Sequence, residues 1–220
     1  MNDIKRNLHH IQTTIPEGVT LVAVSKTKPI ADLMDAYEAG QRIFGENKIQ
    51  EMSEKWDTMP KDISWHMIGH VQTNKVKYMA PFVDLIHAVD SYKLLKEIDK
   101  QAKKHTRTIN CLLQIKIAEE ESKFGLTEQD ALTLLNSEEV KNLTNIHIQG
   151  VMGMATFTND QQQIQNEFHK IAAFSEKLKL KYPQLTTLSI GMSGDYKMAI
   201  ECGSTMIRVG SAIFGARNYG

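Results

Sequence analysis

Thr20-Leu-Val-Ala-Val-Ser-Lys26-Thr-Lys28-Pro29 is the stretch from which the rest of the chain is read. Leu21 to Val24 is a short apolar, β-branched run of the kind buried on both faces of a parallel sheet, and Pro29 opens a segment with helical spacing. Lys26 therefore stands where a buried strand ends. In parallel α/β folds the ligand crevice lies at the carboxyl ends of the strands, where a lysine is half desolvated. An amine so placed can lose its proton and attack a carbonyl, provided that apolar surroundings or a neighbouring cation lower its pKa from about 10.4. Lys28, two residues on, is the candidate cation. The plainer reading of this stretch by itself is two solvated lysines closing a strand.

The same strand-then-helix unit recurs outward from it. Ile30 to Ala39 carries Leu33, Met34 and Tyr37 at helical spacing and stops at Gly40. A second strand follows in Arg42-Ile-Phe-Gly-Glu46-Asn47, then a helix containing Ile49, Met52 and Trp56. The third strand is Ser64-Trp-His66-Met-Ile-Gly69, with a helical turn from Asn74 to Met79, and the fourth is Asp84 to Val89. Asp90 and Ser91 offer N-caps for a helix to about Lys104. Thr108 to Ile117 is the fifth strand, with Cys111 inside it as a small buried hydrophobe. Thr127 caps a helix to about Leu135, and Ile146 to Met154 is the sixth strand, interrupted by Gly150 and Gly153. Ile164, Phe168, Ile171, Phe174 and Leu178 line one face of a long amphipathic helix that Pro183 terminates. Thr187 to Met192, a helix from Asp195 to Glu201, and a strand from Met206 to Phe214 complete the series.

Eight apolar strands, each but the last followed by a helical pattern, predict a (β/α)8 TIM barrel, with Met1 to Thr14 as an extra N-terminal helix behind Asn2 and Asp3. A doubly wound open sheet is the competing architecture; glycines and polar residues after nearly every strand favour the ring of short loops that a barrel requires. No Pro/Ser-rich break or charge block divides the chain, so residues 1–220 are expected to form one domain.

Composition narrows the function. Lys plus Arg and Asp plus Glu are both 26, so there is no basic field to attract a phosphate backbone, and nucleic acid is not an expected partner. No stretch approaches the ~20 consecutive apolar residues of a membrane span. Cys111 and Cys202 form no metal or redox spacing, and a reducing cytoplasm is the expected location. His66 and His70 lie in and just after a strand, where i, i+4 spacing does not bring both to one metal, so no metal site is expected.

Two strand ends point to an anion. Gly191-Met-Ser193-Gly194-Asp195 precedes a short helix, and Arg208-Val-Gly210-Ser211 closes the eighth strand. Glycines let the backbone approach an anion, and the N–H groups at a helix start favour its charge. Loops seven and eight of a barrel are frequent phosphate sites. A lysine at strand one with a phosphate cradle at strands seven and eight suggests a phosphorylated aldehyde held as a Schiff base, and pyridoxal 5′-phosphate fits both ends.

Several blocks, in order, resemble one family: Ala23-Val-Ser-Lys26-Thr-Lys-Pro29, Phe44-Gly-Glu-Asn47, Trp65-His-Met-Ile-Gly69, Gln72-Thr-Asn-Lys75, Ser122-Lys-Phe-Gly125, Gly191-Met-Ser193, and Gly203 through Arg208 and Gly210 to Arg217. Together they are similar to the pyridoxal phosphate homeostasis protein family, over a span from about residue 20 to the last residues. The resemblance implies a single barrel like the N-terminal domain of alanine racemase, with the cofactor on Lys26. It implies Ser193 as a phosphate ligand, N–H groups around Gly210 and Ser211 completing the cradle, Arg208 facing the pyridine nitrogen, and Asn47 lining the pocket near the ring. Gly194 departs from the family pattern, which usually has an acidic residue there.

An arginine stays protonated, so a pyridine nitrogen opposite Arg208 is left unprotonated and the ring is a weaker electron sink. The expectation is a monomeric carrier or buffer of the cofactor, with no catalytic residues and with apo-enzymes that use pyridoxal phosphate as acceptors. The rivals are an enzyme, either a low-activity amino-acid racemase or an aldolase using Lys26, and a partner protein in which the cofactor is incidental.

Overall fold

The computed structural model describes residues 2–118 and 124–216; Ser122, Lys123 and Arg217, named above in two family blocks, and the acidic stretch 119–121, expected from the sequence to be a charged loop, lie outside that range. The helix α1 (Asp3–Thr14) comes first and is capped by the Asn2 side chain on the Lys5 N–H. There follow β1 (Thr20–Val24), α2 (Ile30–Glu38), β2 (Ile43–Glu46), α3 (Ile49–Thr58), β3 (Ser64–Met67), a 3-10 turn at Thr73–Lys75, α4 (Val76–Met79) and β4 (Val83–Val89). The second half runs α5 (Tyr92–Lys104), β5 (Ile109–Gln114), α6 (Glu128–Asn136), α7 (Glu138–Lys141), β6 (Ile146–Met152), α8 (Gln161–Lys181), β7 (Thr187–Ser189), α9 (Tyr196–Glu201), β8 (Met206–Val209) and α10 (Ser211–Phe214).

The eight strands are parallel and close in chain order, with β8 returning to β1 through Thr20 opposite Met206 and Ala23 opposite Val209. The closed ring excludes the open sheet. Two apolar layers follow from the pleat. Outward-facing residues such as Ala23, Phe44, Trp65, Ile86 and Ile207 pack with the helices, including the Ile164, Phe168, Ile171, Phe174 and Leu178 face of α8. A smaller cluster of Val22, Leu85, Ala88, Leu112, Met152 and Met206 fills the bore. Among the described residues no helix is long and apolar enough to cross a membrane, and no group of three metal-ligating side chains forms.

The strands end earlier than their apolar runs. β8 stops at Val209, not Phe214, because the Ser193 hydroxyl accepts the N–H groups of Gly210 (3.1 Å) and Ala212 (3.4 Å) and draws the chain into α10. The last strand is therefore followed by a helix like the others. β5 stops at Gln114 instead of Ile117, since the chain pairs with its own return: Leu126 N–H donates to Gln114 O and Lys116 N–H to Leu126 O. β3, β6 and β7 likewise end before Ile68, Met154 and Met192, which leave the sheet to line a cavity. The α7 turn, capped by the Ser137 hydroxyl, was not evident from apolar spacing.

Candidate functional site

That cavity, of about 580 Å³, opens at the carboxyl ends of the strands. Lys26, Asn47, Ser193, Arg208, Gly210 and Ser211 all line it, together with Lys28, Gln114, Met192 and Gly194. The six expected site residues, drawn from β1, β2, β7 and β8 and the loops after them, thus converge on one space.

Lys26 sits in a tight turn that is braced from behind. Thr27 has a φ of 63°, which is uncommon for a β-branched residue. The turn is held because the Thr27 N–H donates to Glu51 Oε1 (2.6 Å) and the Lys28 N–H to Ser25 O (3.1 Å). Lys55, 5 % exposed on α3, donates to Ser25 O (2.8 Å), Glu46 Oε1 (2.7 Å) and Glu51 Oε1 (2.7 Å). The Ser25 hydroxyl donates to the same Glu46 oxygen at 2.6 Å. Burial raises the Glu46 carboxyl above its ordinary pKa, against the pull of Lys55 and its hydrogen bonds, and Glu46 Oε2 is buried with no hydrogen-bond partner among the described residues. Lys28 takes a part unforeseen in the sequence: its ammonium donates to Phe214 O (2.9 Å) and Ala216 O (3.0 Å), tying the turn of Lys26 to the end of α10.

The opposite side of the cavity is rich in donors. The Ser193 Oγ accepts two N–H groups, which leaves its own hydrogen to give. The N–H groups of Ser193, Gly194 and Ser211 make no hydrogen bond within the described protein, whereas that of Gly210 is already spent on Ser193. A Cβ at Gly210 would come within 3.1 Å of Val24 O, so a glycine keeps this turn close to β1. Asp195 accepts the Met192 N–H, fixing the loop in which Gly194 stands.

Arg208 is 4 % exposed. Its Nη1 donates to Ser189 O (2.8 Å) and Ser189 Oγ (2.7 Å), and its Nη2 to Gly153 O (2.9 Å). The Nε–H and one Nη2–H are left for a ligand. Burial lowers its pKa to about 10, so it is charged at neutral pH. At the mouth, His70 stacks on Phe124 with centroids 4.2 Å apart, and Phe157 is 97 % exposed.

Glu46, Lys55, Ser189 and His87 support this site and were missed in the sequence. Glu46 lies within the quoted Phe44-Gly-Glu-Asn47 block, and His87 is the one polar residue inside the apolar run of the fourth strand, which were their only signals. Lys75, in the 3-10 turn, lies 5.7 Å from the Tyr78 ring and lines no part of this cavity.

The alanine racemase N-terminal domain family matches residues 1–218. The chain is 38 % identical to the pyridoxal phosphate homeostasis protein of Vibrio alginolyticus over 234 residues, covering all of both proteins. It is similar to the solved structure of PipY from Synechococcus elongatus PCC7942 without PLP, at a TM-score of 0.91 and 35 % identity over 96 % of this chain and 100 % of PipY. The same protein with PLP bound gives a TM-score of 0.87 at 34 % identity and the same coverage.

Proposed function

The chain belongs to the pyridoxal phosphate homeostasis protein family, and on that premise we propose that it binds pyridoxal 5′-phosphate through Lys26 and serves intracellular vitamin B6 homeostasis as a carrier or buffer, with little or no catalysis. The observation that carries this reading is the meeting, in one cavity, of a strand-end lysine, a charged arginine with N–H groups to give, and a turn of uncommitted N–H donors. This donor set fits a phosphorylated pyridine aldehyde from end to end. When bound, the cofactor supplies an aldehyde for reversible attachment and a ring that accepts charge.

The chain's own residues divide the work. Lys26 supplies the amine of the Schiff base. The Ser193 hydroxyl and the N–H groups of Ser193, Gly194 and Ser211 receive the phosphate, and Gly210 lets the backbone stand close. Arg208 donates to the pyridine nitrogen and remains charged, so it gives that nitrogen no proton and keeps the ring a weak electron sink. The names of the relatives support carriage over catalysis. Asn47 and Met192 line the edge of the same space.

One barrel domain over residues 1–220, monomeric and cytoplasmic, would hand its cofactor to apo-enzymes that use it, with Phe124 and Phe157 exposed beside the mouth as the docking edge. Zero net charge makes nucleic acid an unsuitable partner, and no membrane is required.

Borohydride reduction of the loaded protein, peptide mass mapping and the near-visible spectrum test the core of the proposal. A pyridoxyl group on Lys26 is the expected result; a colourless protein with unmodified Lys26 after incubation with the cofactor would remove it. Exchange of the alanine α-proton in heavy water at enzymatic rates would replace carriage with racemisation.

A further inference from the structure

A row of polar groups crosses the bore of the barrel behind Arg208. His66 on β3 and His87 on β4 are buried, and His66 Nδ1 lies 3.0 Å from His87 Nε2. His87 Nδ1 lies 3.1 Å from the Ser189 hydroxyl on β7, which in turn accepts from Arg208 on β8 at 2.7 Å. At the other end His66 Nε2 is 3.9 Å from Asp84 Oδ2, a carboxylate that also accepts from Ser64 on β3 and Asn110 on β5. The row joins opposite walls of the barrel, from Asp84 to the cavity.

The protons of this row have one consistent order. Arginine has no acceptor, so it must donate to Ser189 Oγ. The hydroxyl's single hydrogen has only His87 Nδ1 within reach, which makes that nitrogen an acceptor and places the His87 proton on Nε2. That proton goes to His66 Nδ1, and the His66 proton then sits on Nε2, facing Asp84. The reverse order would bury the Ser189 hydrogen without an acceptor and would turn a bare nitrogen lone pair of His66 toward a carboxylate. Both histidines are neutral in this order; burial lowers His66 to about 4 and lowers His87 too, with the charge of Arg208 adding to the effect on His87.

We propose that Ser189 and His87 are positioning residues for Arg208, that both histidines are locked as Nε2–H tautomers, and that occupation of the cavity at Arg208 is transmitted along the row to His66. Hydrogen bonds arranged head to tail polarise one another, so an acceptor placed on the guanidinium alters the whole series. The transmission rests on the proposed pyridoxal phosphate site, whereas the positioning and the tautomers do not.

Long-range proton–nitrogen spectra of the cofactor-free protein with labelled histidine decide the first part at neutral pH. Nε2–H on both rings is expected; Nδ1–H on either overturns the proposal without any variant. Ser189→Ala removes the donor to His87 Nδ1, so it should move the resonance of that nitrogen and weaken pyridoxal phosphate loading by about 10-fold, the scale of a lost hydrogen bond to a charged group. Ser189→Thr, which keeps the hydroxyl, should restore both. Loading the wild-type protein should move the ring-nitrogen resonances of His87 and His66, and the movement should vanish in Ser189→Ala. Loading seen in the near-visible spectrum with both histidines unmoved would overturn transmission. Failure to load at all would instead remove the binding reading above, and the tautomers would still decide the positioning role.

Discussion

Ser25 and Thr27, on either side of Lys26, are gripped by one buried set of charges, and the lysine is aimed by its neighbours' backbone. The set is sensitive to its cation. Lys55→Met leaves the wholly buried Glu46 without its ion partner, a loss of about 3–5 kcal/mol for such pairs. A clear fall in the urea midpoint, with Lys26 modified more slowly by the cofactor, is expected; an unchanged midpoint and rate would show that the turn stands without this brace. Lys28 acts at a distance from its own strand. Lys28→Met should free the carbonyls of Phe214 and Ala216, loosen α10 and weaken cofactor loading by about 10-fold, the worth of hydrogen bonds to a charged group, in a direct titration. Lys26, Ser193 and Arg208 were legible in the sequence because each follows a short apolar run or sits among turn glycines. Lys55 and His87 were not, because their partners come from other strands and no local spacing records such a meeting.

Among the elements, the strands were legible in number and order and misread in length. Residues such as Met154 and Met192 are apolar enough to prolong a strand on paper, yet in the fold they leave the ladder to face the cavity. The helix α8 matched its periodicity because one face packs and the other is wet. Between β6 and β7 the sheet allows no side chain at Gly150, where a Cβ would lie 1.9 Å from Thr187 O. Gly150→Ala should therefore cost at least about 3 kcal/mol, at the upper end for overpacking, read from chemical denaturation. The contact of β3 with β4 through His66 and His87 carries a pH dependence of definite sign. The His66 pKa falls from 6.5 to about 4 on folding, so between those values the unfolded chain binds a proton that the folded chain does not. Stability should be complete above about pH 6.5 and decline as the pH falls toward 4. Glu46, raised on folding, slopes the opposite way, favouring the fold at low pH and losing that contribution as the pH rises through its folded pKa. Urea midpoints at pH 7 and pH 5 for wild type and His66→Gln isolate the His66 share, since the variant should decline less steeply on the acid side and keep the decline that His87, also lowered by burial, contributes.

For the molecule as a whole, two of the large hydrophobic side chains that stay exposed flank the mouth of the cavity. Phe157 at 97 % and Phe124 at 57 % exposure are large hydrophobic groups that stand in solvent beside the cavity. At equal loading, the double variant Phe124→Ser with Phe157→Ser should transfer cofactor more slowly to an apo-enzyme, as followed by recovery of that enzyme's activity. Equal transfer rates would show that docking lies elsewhere. The barrel's closure was legible only as a count of eight strands, since no single stretch encodes which strand will meet the first. Its last pairing, β8 on β1, joins the strands farthest apart in the chain, and contacts of such long separation are slow to form. Lys26 stands on one side of this seam, and Arg208 and Gly210 on the other. A chain still open at the seam has neither cradle nor clamp, so during refolding the appearance of cofactor absorbance would time the moment at which the ring shuts.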